Sequence, residues 1–356
     1  MAYTTIDKPT DYFTTFLWTG DGSTSPRSHT GVGLQANMMW SKVRSAGHQH
    51  NLVDTVRGVN QRLLMPSDNG DEDTTCTHGH FDSLDSDGFT TTNAGGNWNV
   101  NASSQTYVGW FWKAGTSFTN SAGANGANLA TTAGSVNTDA GFSILKWNSS
   151  GMAGEGLLAH GLGVVPSVII IKATSASDDW YVYHKDIGAT KYVRLNQTAG
   201  ETSASWLENK TPTSTLISLD NGFWGTSSID YISYCFAEKK GYSKFGSFVG
   251  NGSSDGTYVH LGFKPALVIV KSSSATHDWL ITDNKRSNPF NPVDGNLFPN
   301  LSDAEGTATK RFDFTSQGFK NRSAGTGANE NGTTFIYMAF AESPFVTSTG
   351  IPTTAR

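Results

Sequence analysis

The residues best suited to bind a metal lie close together in the first quarter of the chain. The sequence contains nine histidines and two cysteines, and Cys76, His78 and His80 fall within five positions. Cysteine and histidine are the usual ligands of zinc, and His78 and His80 would share one face of a strand. No second Cys-x-x-Cys or His-x-x-x-His pair completes the set. The cluster therefore predicts a weak zinc site at most, and a polar loop is the simpler interpretation.

A short acidic stretch just before this cluster offers oxygen ligands for calcium. Residues 68–73 carry four acidic side chains around Gly70, and Asp71 and Asp73 are the candidate ligands. A calcium loop needs a defined ligand spacing and a closing bidentate glutamate, and this stretch has neither. A solvated turn is the better interpretation. We therefore expect no cofactor, with weak binding of calcium or zinc as the alternative.

The sequence lacks the motifs of the common enzyme classes. No Gly-x-Ser-x-Gly elbow, Walker loop or dinucleotide-binding glycine pattern stands between a strand and a helix. A glycosidase would need two carboxylates that converge across a cleft, and no pattern selects such a pair. We therefore predict that the chain is not an enzyme.

Three tryptophans are the candidates for binding a partner. Trp98, Trp206 and Trp224 lie in polar stretches between predicted strands. An exposed aromatic side chain in a variable loop can stack on a sugar or anchor a protein partner. The alternative is that each ring folds back onto the core of its own domain. The sequence leaves both interpretations open.

Composition disfavours several other functions. The net charge of -5 and the scattered basic residues disfavour a nucleic-acid partner, which needs a basic surface. No apolar stretch approaches the roughly 20 residues that span a bilayer, so we expect no membrane insertion. The first residues lack the pattern of a secretory signal, and two cysteines cannot form a disulfide framework. We expect a chain that folds in a cytoplasm with both thiols reduced.

The elements that would position these residues follow a threefold internal repeat. Each copy has an apolar run that ends in lysine, then a Gly-Phe step, then an aromatic closing strand. The apolar runs are residues 38–42, 168–172 and 267–271. The Gly-Phe steps begin at Gly88, Gly222 and Gly318, and the closing strands are 107–113, 231–238 and 335–342. The shared order over three copies argues against coincidence.

The closing strands predict sheets that are buried on both faces. In the third copy Ile336, Met338 and Phe340 would share one face, and Phe335 and Tyr337 the other. We expect each lysine to mark where the chain leaves the core, with its ammonium group in water. The Gly-Phe step would be a tight turn followed by a core anchor. The predicted fold class is all-β, as three tandem antiparallel β-sandwich repeats of about 100 residues.

The repeats define the domain boundaries. Repeat 1 with an N-terminal arm covers residues 1–113, repeat 2 covers 140–241 and repeat 3 covers 242–342, followed by a tail at 343–356. Residues 114–139 are almost all Gly, Ala, Ser, Thr and Asn, which predicts a flexible linker. Catalytic or binding residues needed by every copy would recur at equivalent positions, and none do. Function is therefore expected in the loops that differ between copies. These unmatched loops are residues 66–80, 92–106, 196–215 and 285–310.

The opening and the repeat residues resemble a known group of proteins. Residues 3–9 leading to Tyr12 and Phe13, and the Gly-x-Gly-x-x-Pro-x-x-apolar-Lys block, are similar to repeats in tail-fibre-like virion proteins of marine bacteriophages, including cyanophages. The resemblance covers nearly the whole chain to residue 342. The first copy departs from the pattern, because Asn37 replaces the proline.

The resemblance implies a virion structural protein on the particle surface, folded in the host cytoplasm. It implies a tail-fibre or receptor-binding component for host attachment, with a capsid decoration or head-appendage protein as the alternative. A carbohydrate-active depolymerase is the second alternative. The implied partners are other virion proteins and a host-surface glycan or protein receptor. A homo-oligomer such as a trimer is expected, because several copies of a weak site gain avidity.

Overall fold

The computed structural model describes residues 3–73, 79–93, 100–225, 227–286, 290–307 and 309–353. Strands account for 43% of the structure and helices for 3%. The described strands pair antiparallel in every sheet. The predicted all-β class is therefore confirmed. Among the described residues no helix has the length and apolarity needed to cross a membrane.

The strands follow one another in three successive parts of the chain. The first part has a 3-10 helix at Pro9–Asp11, then β1 (Phe13–Thr19), β2 (Arg27–Thr30), β3 (Met38–Val43), β4 (His50–Asp54), β5 (Gln61–Met65), β6 (Glu72–Asp73), β7 (His80–Asp85), β8 (Gly88–Thr92) and β9 (Thr106–Trp112). The second has β10 (Thr116–Ser117), β11 (Ala133–Asn137), β12 (Phe142–Asn148), β13 (Gly156–Ala159), β14 (Val168–Ala173), β15 (Tyr181–His184), β16 (Lys191–Arg194), β17 (Thr202–Ser203), β18 (Leu216–Leu219), helix α1 (Asn221–Trp224) and β19 (Asp230–Phe236). The third has β20 (Ser243–Val249), β21 (Tyr258–His260), β22 (Phe263–Ser272), β23 (Leu280–Asp283), β24 (Phe312–Thr315), β25 (Gly318–Asn321), helix α2 (Thr326–Asn329) and β26 (Thr334–Pro344).

Three large sheets share one strand order. In each, the closing strand (β9, β19 or β26) lies between the opening strand (β1, β12 or β20) and the strand that contains the apolar run (β3, β14 or β22). The strand that follows the apolar run in the chain (β4, β15 or β23) pairs with the other edge of that strand. The first sheet is β1-β9-β3-β4-β5-β6, the second β10-β11-β12-β19-β14-β15-β16-β17, and the third β20-β26-β22-β23. The register agrees as well. The first residues of the apolar runs pair in the same way, Met38 with Trp112, Val168 with Phe236, and Leu267 with Phe340.

One face of each large sheet packs against a smaller sheet. The smaller sheets are β2-β8-β7, β13-β18 and β21-β25-β24. Between each large sheet and its smaller partner lies a separate apolar core, which contains Phe89 in the first part, Leu158 in the second and Phe319 in the third. Each part of the chain therefore buries apolar surface of its own.

The other face of every large sheet enters one shared core. Trp112, Phe236 and Phe340 come from the three closing strands and form a triangle of rings. The centroid distances are 6.4 Å for Trp112 to Phe236, 5.5 Å for Trp112 to Phe340 and 5.8 Å for Phe236 to Phe340. The predicted burial of both strand faces is confirmed, since Phe340 lies in the shared core and Tyr337 in the outer one.

Residues 114–139 form strands, so the prediction of a flexible linker is wrong. β10 and β11 pair with each other, and β11 pairs with β12, which extends the second sheet. Leu129 packs in the outer core of that sheet, and the Ser135 hydroxyl accepts a hydrogen bond from the backbone N–H of Gly115 at 2.9 Å. Small polar residues suit both a linker and a hairpin at a sheet edge, so their composition did not distinguish the two.

The Gly-Phe step takes two forms. It begins β8 and β25, where the phenylalanine is buried as predicted. At Gly222 the same dipeptide lies inside α1, and Asp220 caps this helix by accepting a hydrogen bond from the backbone N–H of Phe223 at 2.7 Å. Trp224 then becomes the buried anchor of this segment. The expected turn is therefore replaced by a helical turn in the second part of the chain.

The shared core predicts a cooperative molecule. Phe340→Ala should lower the free energy of unfolding by about 3–5 kcal/mol, because the ring contacts residues of all three large sheets and would leave a cavity. Phe290→Ala, at a ring that is 70% exposed, should change it by no more than about 0.5 kcal/mol. Urea denaturation followed by tryptophan fluorescence measures both. Equal effects, or separate unfolding transitions for the three sheets, would contradict a shared core.

Candidate functional site

The tryptophans predicted to bind a partner are core residues where the structure describes them. Trp206 and Trp224 are 0% and 1% exposed, and they belong to the outer core of the second sheet. Their indole N–H groups donate to the carbonyls of Lys191 and Trp206, at 3.1 and 2.7 Å. Neither ring can stack on a ligand, so the expectation of exposed loop aromatics is corrected for both. Trp98 lies outside the described residues.

The predicted metal ligands are not brought together where they can be followed. His80 Nε2 lies 2.9 Å from a carboxylate oxygen of Asp82, whereas Asp71 pairs with the guanidinium of Arg57. His78 and the side chain of Asp73 lie outside the described residues. Within the described ranges no group of three His, Cys, Asp or Glu side chains could hold a metal ion.

Each apolar run ends in a lysine that is buried rather than exposed. Lys42, Lys172 and Lys271 are at most 1% exposed, so the predicted position of their ammonium groups in water is wrong. Burial lowers the pKa of Lys42 to about 7 and the pKa of the other two to about 8. Each ammonium group donates to a carbonyl in a loop of a neighbouring large sheet, with acceptors Ser302 for Lys42 (3.3 Å), Asp68 for Lys172 (3.0 Å) and Thr198 for Lys271 (2.7 Å).

A second contact between sheets repeats eight residues after each lysine. His50, Trp180 and Trp279 occupy this position, and their ring nitrogens bond to main-chain carbonyls in or next to the same neighbouring loops. The contacts are His50 Nε2 to Phe298 (3.0 Å), Trp180 Nε1 to Ser67 (3.0 Å) and Trp279 Nε1 to Arg194 (2.7 Å). The first sheet therefore contacts the third, the third contacts the second, and the second contacts the first. We call these hydrogen-bonded contacts between two large sheets, together with the third kind described next, the junctions.

A third contact lies beside the shared core, at the ends of β4, β15 and β23. Asp54 accepts the hydroxyl hydrogen of Tyr234 at 2.7 Å, and Asp283 accepts the indole N–H of Trp110 at 2.9 Å. His184 takes the equivalent place and bonds through Nε2 to the carbonyl of Tyr337 at 3.2 Å. Every pair joins two different large sheets. These polar groups are buried, and partners from a neighbouring sheet satisfy them.

Arginines neutralise the two buried carboxylates of the junctions. The Nε atoms of Arg57 and Arg286 lie 2.7 and 2.6 Å from Asp54 and Asp283, and these four side chains are at most 1% exposed. Glu305 accepts from Arg286 at 3.0 Å and from Arg44 of the first sheet at 2.8 Å. A buried charge without such a partner would cost several kcal/mol. The charges of Asp54 and Asp283 are therefore compensated inside the protein.

The two junction histidines are neutral. His50 Nδ1 accepts the indole N–H of Trp40 at 3.0 Å, and His184 Nδ1 accepts the backbone N–H of Asp186 at 3.2 Å. Because Nδ1 accepts, Nε2 carries the single ring proton toward the neighbouring carbonyl. Burial lowers the pKa of His184 to about 4 and the pKa of His50 well below its ordinary value. Acid would therefore place a second proton on rings that have no acceptor for it.

A polar cleft of about 490 Å³ lies beside the third sheet. Asp278, Leu280 and Phe298 line it together with Arg311. Arg311 Nε is buried without a hydrogen-bond partner, and the guanidinium forms no ion pair with the described residues. Burial lowers the pKa of Arg311. This cleft is the candidate site that can receive a small polar ligand.

The sequence pattern did not select Arg311. It marked the unmatched loop 285–310, which supplies Phe298, but a single arginine at the end of a polar stretch carries no signal. The cleft forms only when this loop meets β23 and α2. The thiol of Cys235 is not a candidate, because burial raises its pKa to about 12, and Cys76 lies outside the described residues.

Comparison with known proteins gives one family. The model of a family described as a domain of unknown function (DUF7483) matches residues 8–344. No curated protein and no solved structure matches the chain. The family match spans all three large sheets, the junctions and the cleft.

The carboxylates of the junctions should matter more than surface carboxylates. Asp283→Ala should lower the free energy of unfolding by about 3–5 kcal/mol, because it leaves the Trp110 indole N–H without its buried acceptor and leaves Arg286 with Glu305 as its remaining ion-pair partner. Asp11→Ala, at an exposed pair with Lys8, should cost at most about 1 kcal/mol. Chemical denaturation at neutral pH compares the two variants. Similar losses would show that the Asp283 junction contributes little.

Acid should loosen the junctions through the histidines. The folded-state pKa of His184 is below its unfolded value, so the unfolded chain binds more protons and stability falls as the pH drops from about 6.5 toward 4. At pH 5 this group alone should cost about 2 kcal/mol relative to pH 7. His184→Gln should remove that part of the acid sensitivity, whereas His260→Gln, at an exposed histidine, should not. Denaturation of the three proteins at pH 7 and 5 tests this, and equal acid losses in all would contradict it.

Proposed function

We propose that this chain, which belongs to the family of the domain of unknown function DUF7483, is a bacteriophage virion structural protein on the particle surface. Its role would be host attachment, as a tail-fibre or receptor-binding component, and not catalysis. The observation that carries the proposal is the common strand order and register of the three large sheets around one core. A rigid body of this kind suits a particle that must hold its shape outside a cell.

Three tandem copies of one antiparallel β-sandwich would produce this arrangement. Each copy would pair a large sheet with a smaller one, over residues 1–113, 140–241 and 242–342. The equivalent positions of Lys42, Lys172 and Lys271 in the three junctions support this internal homology. Under this proposal the recurring residues build the scaffold, and the loops that differ between copies carry the specific contacts.

The partners proposed for this scaffold are other virion proteins and a glycan or protein receptor on the host surface. Three similar copies in one chain already present three related surfaces, so contacts of each copy can add in avidity. Assembly into a homo-oligomer, for instance a trimer, would multiply these contacts further. The sequence resemblance to tail-fibre-like proteins of marine bacteriophages supports the same role.

The alternative role is that of a capsid decoration or head-appendage protein. It is favoured by the packing of all three large sheets around one core, because no described element extends from them as a shaft. A depolymerase is the second alternative, and release of new reducing ends from host polysaccharide by the purified chain would establish it.

The proposal predicts that the chain is a component of mature particles. Mass spectrometry of purified particles of the virus that encodes it should detect the chain at several copies per particle. Gold-labelled antibodies against the chain, viewed by electron microscopy, should then decorate tails for the attachment role or heads for the capsid role. Antibodies against a non-structural protein of the same virus are the control. Absence from purified particles would overturn the virion assignment.

A further inference from the structure

The cleft beside the third sheet corresponds to a filled position in the second sheet. Leu280 pairs with Val270 as Tyr181 pairs with Ile171, so Leu280 and Tyr181 occupy the same place. Around Tyr181 the space is filled by aromatic rings, including Trp206 at 6.3 Å and Trp224 at 5.3 Å between centroids. Leu280 instead lies in the wall of the polar cleft.

The difference follows from the short helix before the closing strand. α1 ends in Phe223 and Trp224, which pack against Tyr181. α2 precedes β26 as α1 precedes β19, but its sequence is TGAN. Counted back from the start of the closing strand, Gly327 and Ala328 stand where the second part of the chain has Phe223 and Trp224. The third part of the chain therefore lacks the rings that would close the cleft.

The glycines of the cleft leave room in front of Arg311. Gly327 does not have a positive φ, so its backbone does not require glycine. A Cβ atom at Gly327 would lie 3.4 Å from Arg311 Nη1, and one at Gly325 would lie 4.0 Å from the same atom. Side chains at these positions would occupy the space that the guanidinium faces.

The groups around this space suit a sugar that carries a carboxylate. The Arg311 guanidinium can hold a carboxylate through two parallel hydrogen bonds, and Asp278 can accept hydrogen bonds from sugar hydroxyls. Phe298, which is half-buried, adds apolar surface for the C–H groups of the sugar ring. The volume of about 490 Å³ lies within the usual range for small-molecule sites. A phosphate ion on Arg311 would not gain the hydroxyl contacts with Asp278.

We propose that this cleft binds an acidic saccharide, with its carboxylate on Arg311 and its hydroxyls directed to Asp278. The view that such a sugar belongs to a host-surface glycan rests on the proposed attachment function. The cleft itself does not depend on it, because binding can be measured on the purified chain. A failure of sugar binding would leave the particle assignment intact, and absence from particles would leave the cleft assignment intact.

Titration of the full chain with glucuronate, followed by NMR of labelled leucine methyl groups, tests the proposal. Glucuronate should shift the Leu280 methyl signals, and glucose and inorganic phosphate should each bind at least about tenfold more weakly, a difference of about 1.4 kcal/mol. Arg311→Met should weaken glucuronate binding by a similar factor. Arg322→Met is the matched control, because Arg322 pairs with Asp313 at 3.2 Å and does not line the cleft.

A second variant blocks the cleft without changing its charge. Gly327→Val keeps Arg311 but fills the space before it, so glucuronate binding should again be lost while the thermal unfolding midpoint stays near that of Arg322→Met. If Gly327→Val fails to fold, Gly327→Ala replaces it, with a weaker loss expected. No shift at Leu280 with glucuronate, unchanged affinity in Arg311→Met, or equal binding of glucose or phosphate would overturn the acidic-sugar assignment.

Discussion

The closing strands β9, β19 and β26 are apolar on both faces, and this constraint organises the molecule. One face of each strand is covered by the smaller sheet of its own part of the chain. The other face can be removed from water only by the other two large sheets, which meet it at the triangle of Trp112, Phe236 and Phe340. Separating any one sheet would expose large aromatic surfaces to water, so the three sheets stay together.

This packing determines the chemistry of the residues beside the core. Buried donors and acceptors must find partners inside the protein, and the nearest ones belong to the neighbouring sheet. Lysines then bond to carbonyls, histidines remain neutral and aspartates pair with arginines. Shifted pKa values often mark functional sites, but those of Lys42, Lys172, Lys271, His50 and His184 mark structural junctions. Their common cause is burial, and their partners belong to the neighbouring large sheet.

Departures from the threefold pattern are more informative about function than the pattern itself. At the position of Tyr181, aromatic rings close the space between the second large sheet and its loops. At Leu280 the equivalent space is a polar cleft with an arginine that lacks an ion-pair partner among the described residues. The third part of the chain can lack this aromatic filling without loss of the shared core, because the cleft lies on the outer side of its large sheet. This is the physical basis for placing ligand binding in the third part of the chain.

The sequence by itself determined the all-β class, the apolar runs and closing strands of the three large sheets, and the two-faced burial of strands such as the one containing Ile336 and Tyr337. Those features depend on local alternation and turn residues, which are read directly from neighbouring positions. Only the tertiary structure decided the fate of Trp206 and Trp224, the burial of Lys172, the pairing of residues 114–139 with the second sheet and the cleft around Arg311. Each of these depends on which distant segment packs against the residue. A side chain in a polar stretch of the sequence can lie in the core, in a junction or in the wall of a cleft, depending on which segment packs against it.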